Sequence, residues 1–251
     1  PVAEWHHDWL CELAWRAKPL ATASRASARL GGDAGLDPSK IADSVRSAVP
    51  ALADTHAMDD YGDGLSRLEA LATSYVIAAF HELGVPRLPG AVLSAAGIVA
   101  AHGVQPRQRK LLERLLVLLA EDGYLAAGDA GWVVTKPLPA VDPAATAAEM
   151  TAAAMPCDPE LALTIRCGSQ LAGVLRGAVN PVQLLFPDGS AALVERIYHE
   201  SPAARFFNDL ARQAVTGIVG ALASGDRLRV LEVGAGTGGT SATIGRYIRY
   251  R

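Results

Sequence analysis

The stretch Arg227-Leu-Arg-Val-Leu-Glu-Val-Gly-Ala-Gly-Thr-Gly-Gly-Thr-Ser241 lies close to the last residue of the 251-residue chain and decides the predicted fold. Val230, Leu231 and Val233 form a short apolar run that is typical of a buried parallel strand. Four glycines follow, and residues 240–250 can form a helix. Glycines let a backbone approach a ligand closely, and a helix N-terminus presents free N–H groups to it. A strand, a glycine turn and a helix in this order predict the first strand–turn–helix unit of a doubly wound α/β sheet, which is where such sheets bind a nucleotide.

The glycine turn permits more than one ligand class. Gly234, Gly236 and Gly239 satisfy the pattern Gly-x-Gly-x-x-Gly, so a nicotinamide or flavin dinucleotide site is one interpretation, and a turn without a ligand is another. The wider context, with an acidic residue two positions before the first glycine, resembles the first motif of S-adenosylmethionine-dependent methyltransferases. That resemblance implies that the turn lies against the methionine and ribose of the cofactor. It assigns to cofactor binding Glu232, Gly234, Ala235, Gly236, Thr237, Gly238 and Gly239.

The position of this motif limits what these residues can contain. A doubly wound sheet needs several further strands with crossover helices, whereas twelve residues follow Gly239. An acidic residue that holds a ribose is expected about twenty positions further on, which falls beyond Arg251. We therefore expect the first strand of a cofactor-binding core here, but not its body.

Composition excludes several function classes. Half of the residues are hydrophobic and the net charge is −3, which indicates a globular chain and argues against a nucleic-acid binder. Cys11, Cys157 and Cys167 lack the spacing of metal ligands, so we expect no metal site. The first residues do not resemble a signal peptide, and the densest apolar stretch, Leu111 to Ala120, is charged and too short for a membrane span. We expect a cytoplasmic protein without a membrane partner.

Helical spacing dominates the middle of the chain. It predicts helices over Leu65–Leu83, ended by Gly84, over Val92–His102 and over Arg107–Glu121, followed by a β-hairpin around residues 124–134. This order is a winged-helix pattern, which often binds DNA. The one basic cluster at the start of the third helix is surrounded by acidic side chains, so a small helical domain that packs on the cofactor core is the favoured interpretation.

The flanking segments give weaker patterns. Residues 9–15 alternate like a strand, and residues 21–63 resemble a linker with one short helix around Ile41 to Ala48. Further on, Asp158 and Pro159 are predicted to cap a helix from Glu160 to about Leu175. After that we expect an extended segment or loop over Pro181–Phe186, a turn at Asp188-Gly189, and a long helix from the Ser201 cap and Pro202 to about Ala223.

Several segments together resemble the C-methyltransferase domain of modular polyketide synthases, in that family's order and with about its spacing. They are Trp9–Pro19, Lys110–Tyr124, Leu184–Ser190, Tyr198–Asn208 and the glycine motif. The resemblance implies a mainly α fold with a small winged-helix-like β-hairpin, leading into the first strand of an α/β Rossmann-like methyltransferase core that is incomplete here. The implied division is an N-terminal segment and linker (1–63), a helical lid (64–225) and the start of the core (226–251).

The same resemblance implies a function. The family transfers a methyl group from S-adenosylmethionine to the α-carbon of a β-ketoacyl chain, which an acyl carrier protein holds on its phosphopantetheine arm. Neighbouring polyketide synthase domains are the other expected partners. Tyr198 is implied as a cofactor contact, although an amphipathic core tyrosine with a satisfied hydroxyl fits equally well. The catalytic base is expected after Arg251, so no catalytic residue is assigned. The alternative is a non-catalytic methyltransferase remnant that acts as a structural spacer in the synthase.

Overall fold

The structure, a computed structural model, describes residues 37–222 and 230–249. These residues are mainly helical and contain one three-stranded antiparallel sheet. The strand expected at residues 9–15 lies outside the described residues.

The segment before residue 63 is helical from Pro38 onward. Helix α1 spans Pro38–Thr55 and helix α2 spans Met58–Leu83, so α2 crosses the expected boundary between residues 63 and 64. The side chain of Asp37 caps α1 by accepting a hydrogen bond from the Ser39 N–H at 3.0 Å. The predicted short helix around Ile41 to Ala48 lies within α1, but the linker predicted around it is wrong from Pro38 onward, because alanine is the strongest helix former and an Ala-rich composition does not indicate a flexible chain. Gly84 ends α2 in the left-handed conformation, as predicted.

The small sheet follows α2. Strand β1 (Val92–Leu93) precedes helix α3 (Ala95–Ala101) and helix α4 (Arg109–Glu121), and strands β2 (Leu125–Gly128) and β3 (Gly131–Val134) form the predicted hairpin. The strand order is β1-β3-β2, with both pairs antiparallel. The predicted start of the second helix at Val92 is wrong. Val92 and Leu93 pair with Val133 and Trp132, and the helix begins only after the Ser94 cap.

The next helices are shorter and more numerous than predicted. The structure has α5 (Pro143–Ala152), α6 (Asp158–Gly168), α7 (Leu171–Arg176), α8 (Pro181–Leu185) and α9 (Ala192–Glu200). The single helix predicted from Glu160 to Leu175 is wrong, because two helices meet at Ser169-Gln170, where Gly168 packs against the ring of Tyr75. Asp158 lies in the first turn of α6, and its N-cap is Cys157.

Three other segments also differ from prediction. The extended segment or loop expected at Pro181–Phe186 is helix α8, whose N-cap Asn180 accepts a hydrogen bond from the Val182 N–H at 3.0 Å. Helices α5 and α9 were not predicted. A 3₁₀ turn at Pro187–Gly189 occupies the predicted turn position.

Helix α10 (Pro202–Gly220) begins at the predicted Ser201 cap, and helix α11 (Gly239–Arg249) follows the glycine turn. The strand predicted at residues 230–233 is not formed within the described part of the chain. Val230, Leu231 and Val233 are instead 62%, 87% and 87% exposed. An apolar run becomes a strand only when a neighbouring strand supplies hydrogen-bond partners, and no described strand lies beside it.

Two hydrophobic cores hold the helices together, and α2 contributes to both. The first core joins the C-terminal half of α2 to α3, α4, α7 and the sheet, and its fully buried side chains include Phe80, Leu112, Leu119 and Leu175. The second core joins the N-terminal half of α2 to α5 and α6, with Tyr61, Leu71, Met150 and Leu161 among its members. Helix α10 packs on α1, α2, α9 and α11.

Candidate cofactor-binding site

A pocket of about 530 Å³ lies between the helical part of the chain and the glycine turn. Its volume falls within the usual range of small-molecule sites. Its helical wall comes from the α8–α9 connection, α9 and α10, and its other wall comes from the turn and the start of α11. The lining residues are Phe186, Ala191, Val194, Tyr198, Ala204, Phe207, Asn208, Glu232, Gly234, Ala235, Gly236, Thr237, Gly239 and Thr240.

The pocket brings together seven of the eight residues predicted for cofactor binding. They are Tyr198, Glu232, Gly234, Ala235, Gly236, Thr237 and Gly239. Gly238 belongs to the same turn without lining the pocket. Tyr198 lies about forty residues before the turn in the sequence, yet the fold places it on the facing wall. Whether these residues bind a cofactor stays a prediction.

The backbone of the turn requires glycine at alternate positions. Gly234, Gly236 and Gly238 have φ values of 80°, 56° and 77°, in the left-handed region that other residues rarely adopt. The Gly238 N–H donates to the Ala235 carbonyl at 2.8 Å and closes the turn. A side chain at any of the three positions would therefore strain the wall of the pocket.

Gly239 is needed for a different reason. It is buried at the start of α11, and a Cβ at this position would lie 2.9 Å from the carbonyl oxygen of Tyr198 and 3.6 Å from the His199 ring. The first residue of α11 thus packs directly against the backbone of the last turn of α9. The absence of a side chain permits this close approach of two pocket walls.

Side-chain hydrogen bonds join the two walls. The Thr240 hydroxyl donates to Asn208 Oδ1 at 2.6 Å, and Asn208 Nδ2 donates to the Tyr198 carbonyl at 3.5 Å. Within the turn, the Ser241 hydroxyl donates to the carboxylate of Glu232. The sequence places Asn208 in the family-like segment and, with Tyr198, at the entry to the last helix, without assigning it a role. A usable signal was the helical spacing of Ala204, Phe207 and Asn208, which puts them on one face of α10.

Tyr198 is not a core residue. It is 54% exposed and lies at the pocket, which rules out the interpretation as a buried core tyrosine. Phe207 is also exposed, at 63%, and its ring stands edge to face with the buried ring of Phe206, with centroids 5.2 Å apart. Two exposed aromatic side chains therefore line the pocket. The sequence did not point to Phe207.

Among the described residues that line the pocket, Glu232 is the one charged side chain. On another side of α10, Asp209 receives hydrogen bonds from His56 at 2.9 Å and from Arg212 at 2.9 Å. Burial raises the pKa of the Asp209 carboxyl, but these two hydrogen bonds outweigh burial and hold its pKa below its usual value. This cluster ties the end of α1 to α10 and so supports the helix that carries Phe207 and Asn208.

Residues 37–222 and 230–249 contain no group of three or more His, Cys, Asp or Glu side chains arranged to hold a metal ion. Nor is any helix in these ranges sufficiently long and apolar to cross a bilayer.

Curated proteins with similar sequences are large synthases. The chain is 31% identical over 234 residues to polyketide synthase ThaG of Burkholderia thailandensis and 29% identical over 177 residues to non-reducing polyketide synthase adrD of Penicillium rubens. It is 30% identical over 217 residues to pyochelin synthetase PchF of Pseudomonas aeruginosa. These alignments cover 90%, 70% and 84% of this chain but 4%, 7% and 12% of the relatives. No family model matches the chain.

Solved structures identify the part of a synthase to which the chain corresponds. The CurJ carbon methyltransferase matches with a TM-score of 0.72 and 31% identity, over 84% of this chain and 56% of that one. The DszA carbon methyltransferase matches with a TM-score of 0.65 and 26% identity, over 81% and 54%. The CMeT domain of the citrinin polyketide synthase has the same fold, with a TM-score of 0.68 at 24% identity, over 87% and 59%. The chain belongs to the family of polyketide synthase carbon methyltransferase domains.

Proposed function

We propose that this chain is part of a domain that transfers a methyl group from S-adenosylmethionine to the α-carbon of a β-ketoacyl chain held on an acyl carrier protein. The observation that supports the proposal most is the single pocket that contains Tyr198, Glu232 and the glycine turn. The domain would work inside a cytoplasmic polyketide synthase, beside the neighbouring synthase domains.

The pocket residues fit this cofactor. The carboxylate of Glu232 accepts hydrogen bonds from hydroxyl or amino groups, and the glycine turn lets a ligand approach the backbone closely. The exposed rings of Tyr198 and Phe207 suit a positively charged group, because aromatic faces attract cations. When bound, the cofactor supplies an electrophilic methyl group on a cationic sulfur.

The remaining lining residues suit the acyl chain. Phe186, Ala191 and Val194 give the helical wall an apolar surface, which keeps water away from a reactive enolate. An α-carbon between two carbonyl groups is acidic enough for a positioned base to deprotonate it, and holding both reactants in one pocket supplies much of the rate. By resemblance to the family the base follows the glycine motif, and we assign that role to no residue of this chain.

The proposed architecture is a lid over a core. The lid, expected at residues 64–225, would start earlier because α2 begins at Met58, and we retain the winged-helix interpretation of α3, α4 and the sheet. The Rossmann-like core would begin at residue 226. In this arrangement the helical wall of the pocket belongs to the lid and the glycine turn belongs to the core.

Cross-linking tests the cofactor assignment. In a synthase that carries this chain, methyl-labelled S-adenosylmethionine should under ultraviolet light label peptides that contain residues 186–208 or 230–240, and S-adenosylhomocysteine should compete with it. Gly236→Ala should lower the labelling, because Gly236 has a φ of 56° and lines the pocket. Gly62→Ala is the matched control, since no atom lies within 4 Å of an added Cβ there. Labelling elsewhere, or labelling that resists competition, would contradict the assignment.

Product analysis tests the reaction. In a synthase that carries this chain, Gly236→Ala should yield a product without the α-methyl branch, and Gly62→Ala should leave that branch in place. A methyl branch that survives Gly236→Ala would refute the assignment of this pocket. The coding sequence after Arg251 gives an independent check. Alternating strands and helices there support the enzyme, and a direct run into a reductase or carrier domain supports the spacer alternative.

A further inference from the structure

We propose that Asn208 is a positioning residue for the candidate cofactor pocket, because it fixes the glycine turn to the helical wall through Thr240 and the Tyr198 carbonyl. The proposal rests on the proposed function in one respect, since it takes this pocket to be the cofactor site. It adds a role for a side chain to which the sequence assigned none.

Asn208 lies where three helices meet. From α10 its Oδ1 accepts the Thr240 hydroxyl at 2.6 Å, which is a short and well-formed hydrogen bond to α11. Its amide nitrogen points to the opposite neighbour and donates to the Tyr198 carbonyl of α9 at 3.5 Å. A planar amide with an acceptor and a donor is suited to this double contact, because one side chain holds both neighbours.

The same carbonyl receives a second contact. Tyr198 O is the atom that a Cβ on residue 239 would approach to 2.9 Å. The amide of Asn208 and the backbone of Gly239 therefore converge on one oxygen at the end of α9. A change at Asn208 would move both Thr240, in the wall of the turn, and Tyr198, in the facing wall.

Among the described residues, few other contacts could hold the turn in place. Within this part of the chain, neither hydrophobic core includes a residue after Ala203. The apolar residues just before the turn are exposed, with Leu231 and Val233 at 87%. Among the described residues, the turn is thus joined to the helical wall mainly by the packing of α11 on α9 and α10 and by the Asn208 hydrogen bonds.

Substitutions at both partners test the proposal. Asn208→Ala and Thr240→Val remove the hydrogen bond from either side, and Thr240→Ser keeps the hydroxyl. Thr243→Val is the matched control, because the Thr243 hydroxyl donates within α11 to the Gly239 carbonyl at 3.1 Å, and among the described residues no hydrogen bond joins it to α10. Two quantities are measured: amide hydrogen exchange of residues 230–249 in the full chain, and cross-linking of S-adenosylmethionine below saturation in a synthase that carries this chain.

We expect Asn208→Ala and Thr240→Val each to speed exchange in α11 about fivefold and to lower cross-linking about fivefold, the effect of one ordinary hydrogen bond. The double variant should be no worse than either single variant, because both remove the same interaction. Thr240→Ser should restore both quantities. The melting temperature should change little, since the described residues after Ala203 are outside both cores.

Other outcomes separate the two proposals. If Thr243→Val matches Thr240→Val, or if the two single effects add, Asn208 does not act through Thr240. If exchange quickens while cross-linking is unchanged, Asn208 is a structural contact and does not position the pocket. If a synthase that carries the unaltered chain takes no specific label, the proposed function fails, and the exchange data then leave Asn208 as a contact between α10 and α11 alone.

Discussion

Replacing Gly239 by alanine sets two effects of opposite sign against each other. Gly239 is the first residue of α11, and alanine is favoured over glycine in a helix by about 1 kcal/mol at most. Against this gain, the new Cβ would lie 2.9 Å from the Tyr198 carbonyl oxygen, about half an ångström inside an ordinary contact. The oxygen belongs to backbone and cannot rotate away.

The steric effect should win. Overpacking of this kind costs about 1–3 kcal/mol, so the net change should favour separation of α11 from α9 by up to about 2 kcal/mol. Gly245→Ala, on the same helix, is the matched control. No atom lies within 4 Å of its added Cβ, so it should keep the helix gain of up to about 1 kcal/mol without the clash.

Hydrogen exchange of residues 239–249, followed by mass spectrometry, measures the difference. Exchange should quicken in Gly239→Ala and slow in Gly245→Ala. A net loss of 1–2 kcal/mol corresponds to about a 5- to 30-fold faster exchange for local opening. Circular dichroism should show that both variants keep the helix content of the parent chain. If the two substitutions slow exchange equally, residue 239 does not lie against the α9 backbone, and our account of the pocket walls is wrong.

Three further predictions concern stability and reactivity. The pKa of Asp209 is held low in the folded chain by Arg212 and His56, so its contribution to stability is present above the unfolded pKa of about 4 and is lost as pH falls through the folded value. As the pH is lowered through the acid range, the melting temperature of Asp209→Asn should therefore fall less steeply than that of the parent chain. Equal slopes of melting temperature against pH would contradict this. Burial raises the pKa of the Cys157 thiol and shields it from solvent, so iodoacetamide should alkylate it far more slowly in the native chain than in urea. Equal rates of alkylation would show that the Cys157 thiol is accessible to solvent in the folded chain. A chain ending at Gly225 should keep a cooperative thermal transition, because among the described residues neither core extends past Ala203; loss of that transition would place α11 in the folding core.

Local signals in the sequence predicted much of the helical part. Ser201 followed by Pro202 marks the start of α10, and Gly84 marks the end of α2, because caps depend on the residues beside them. For the Ala-rich segment before Met58, the linker prediction was wrong because local signals do not record contacts with distant residues. Its few apolar residues, such as Ile41, pack on α10, and that packing is set by residues far away in the sequence.

The site was predictable in composition but not in arrangement. The glycine pattern indicates which positions lack a side chain, but not why. In the structure, Gly234, Gly236 and Gly238 have positive φ values, whereas Gly239 lies close to a backbone carbonyl that a Cβ would approach too closely. That carbonyl belongs to a residue about forty positions earlier. The prediction of a strand at residues 230–233 was wrong for another reason. An apolar run predicts burial, but it cannot supply the neighbouring strands that a sheet requires.

Helix α2 contributes side chains to both hydrophobic cores, and this double role fixes the length of the helix. Tyr75 packs in one core and Val76, the next residue, in the other. One residue inserted between Leu71 and Val76 would turn the two faces by about 100° relative to each other and shift them by about 1.5 Å along the axis. Loops of relatives can vary in length at little cost. Along this helix, insertions and deletions should be absent from functional sequences. Substitutions in one core, by contrast, can be accepted independently of substitutions in the other.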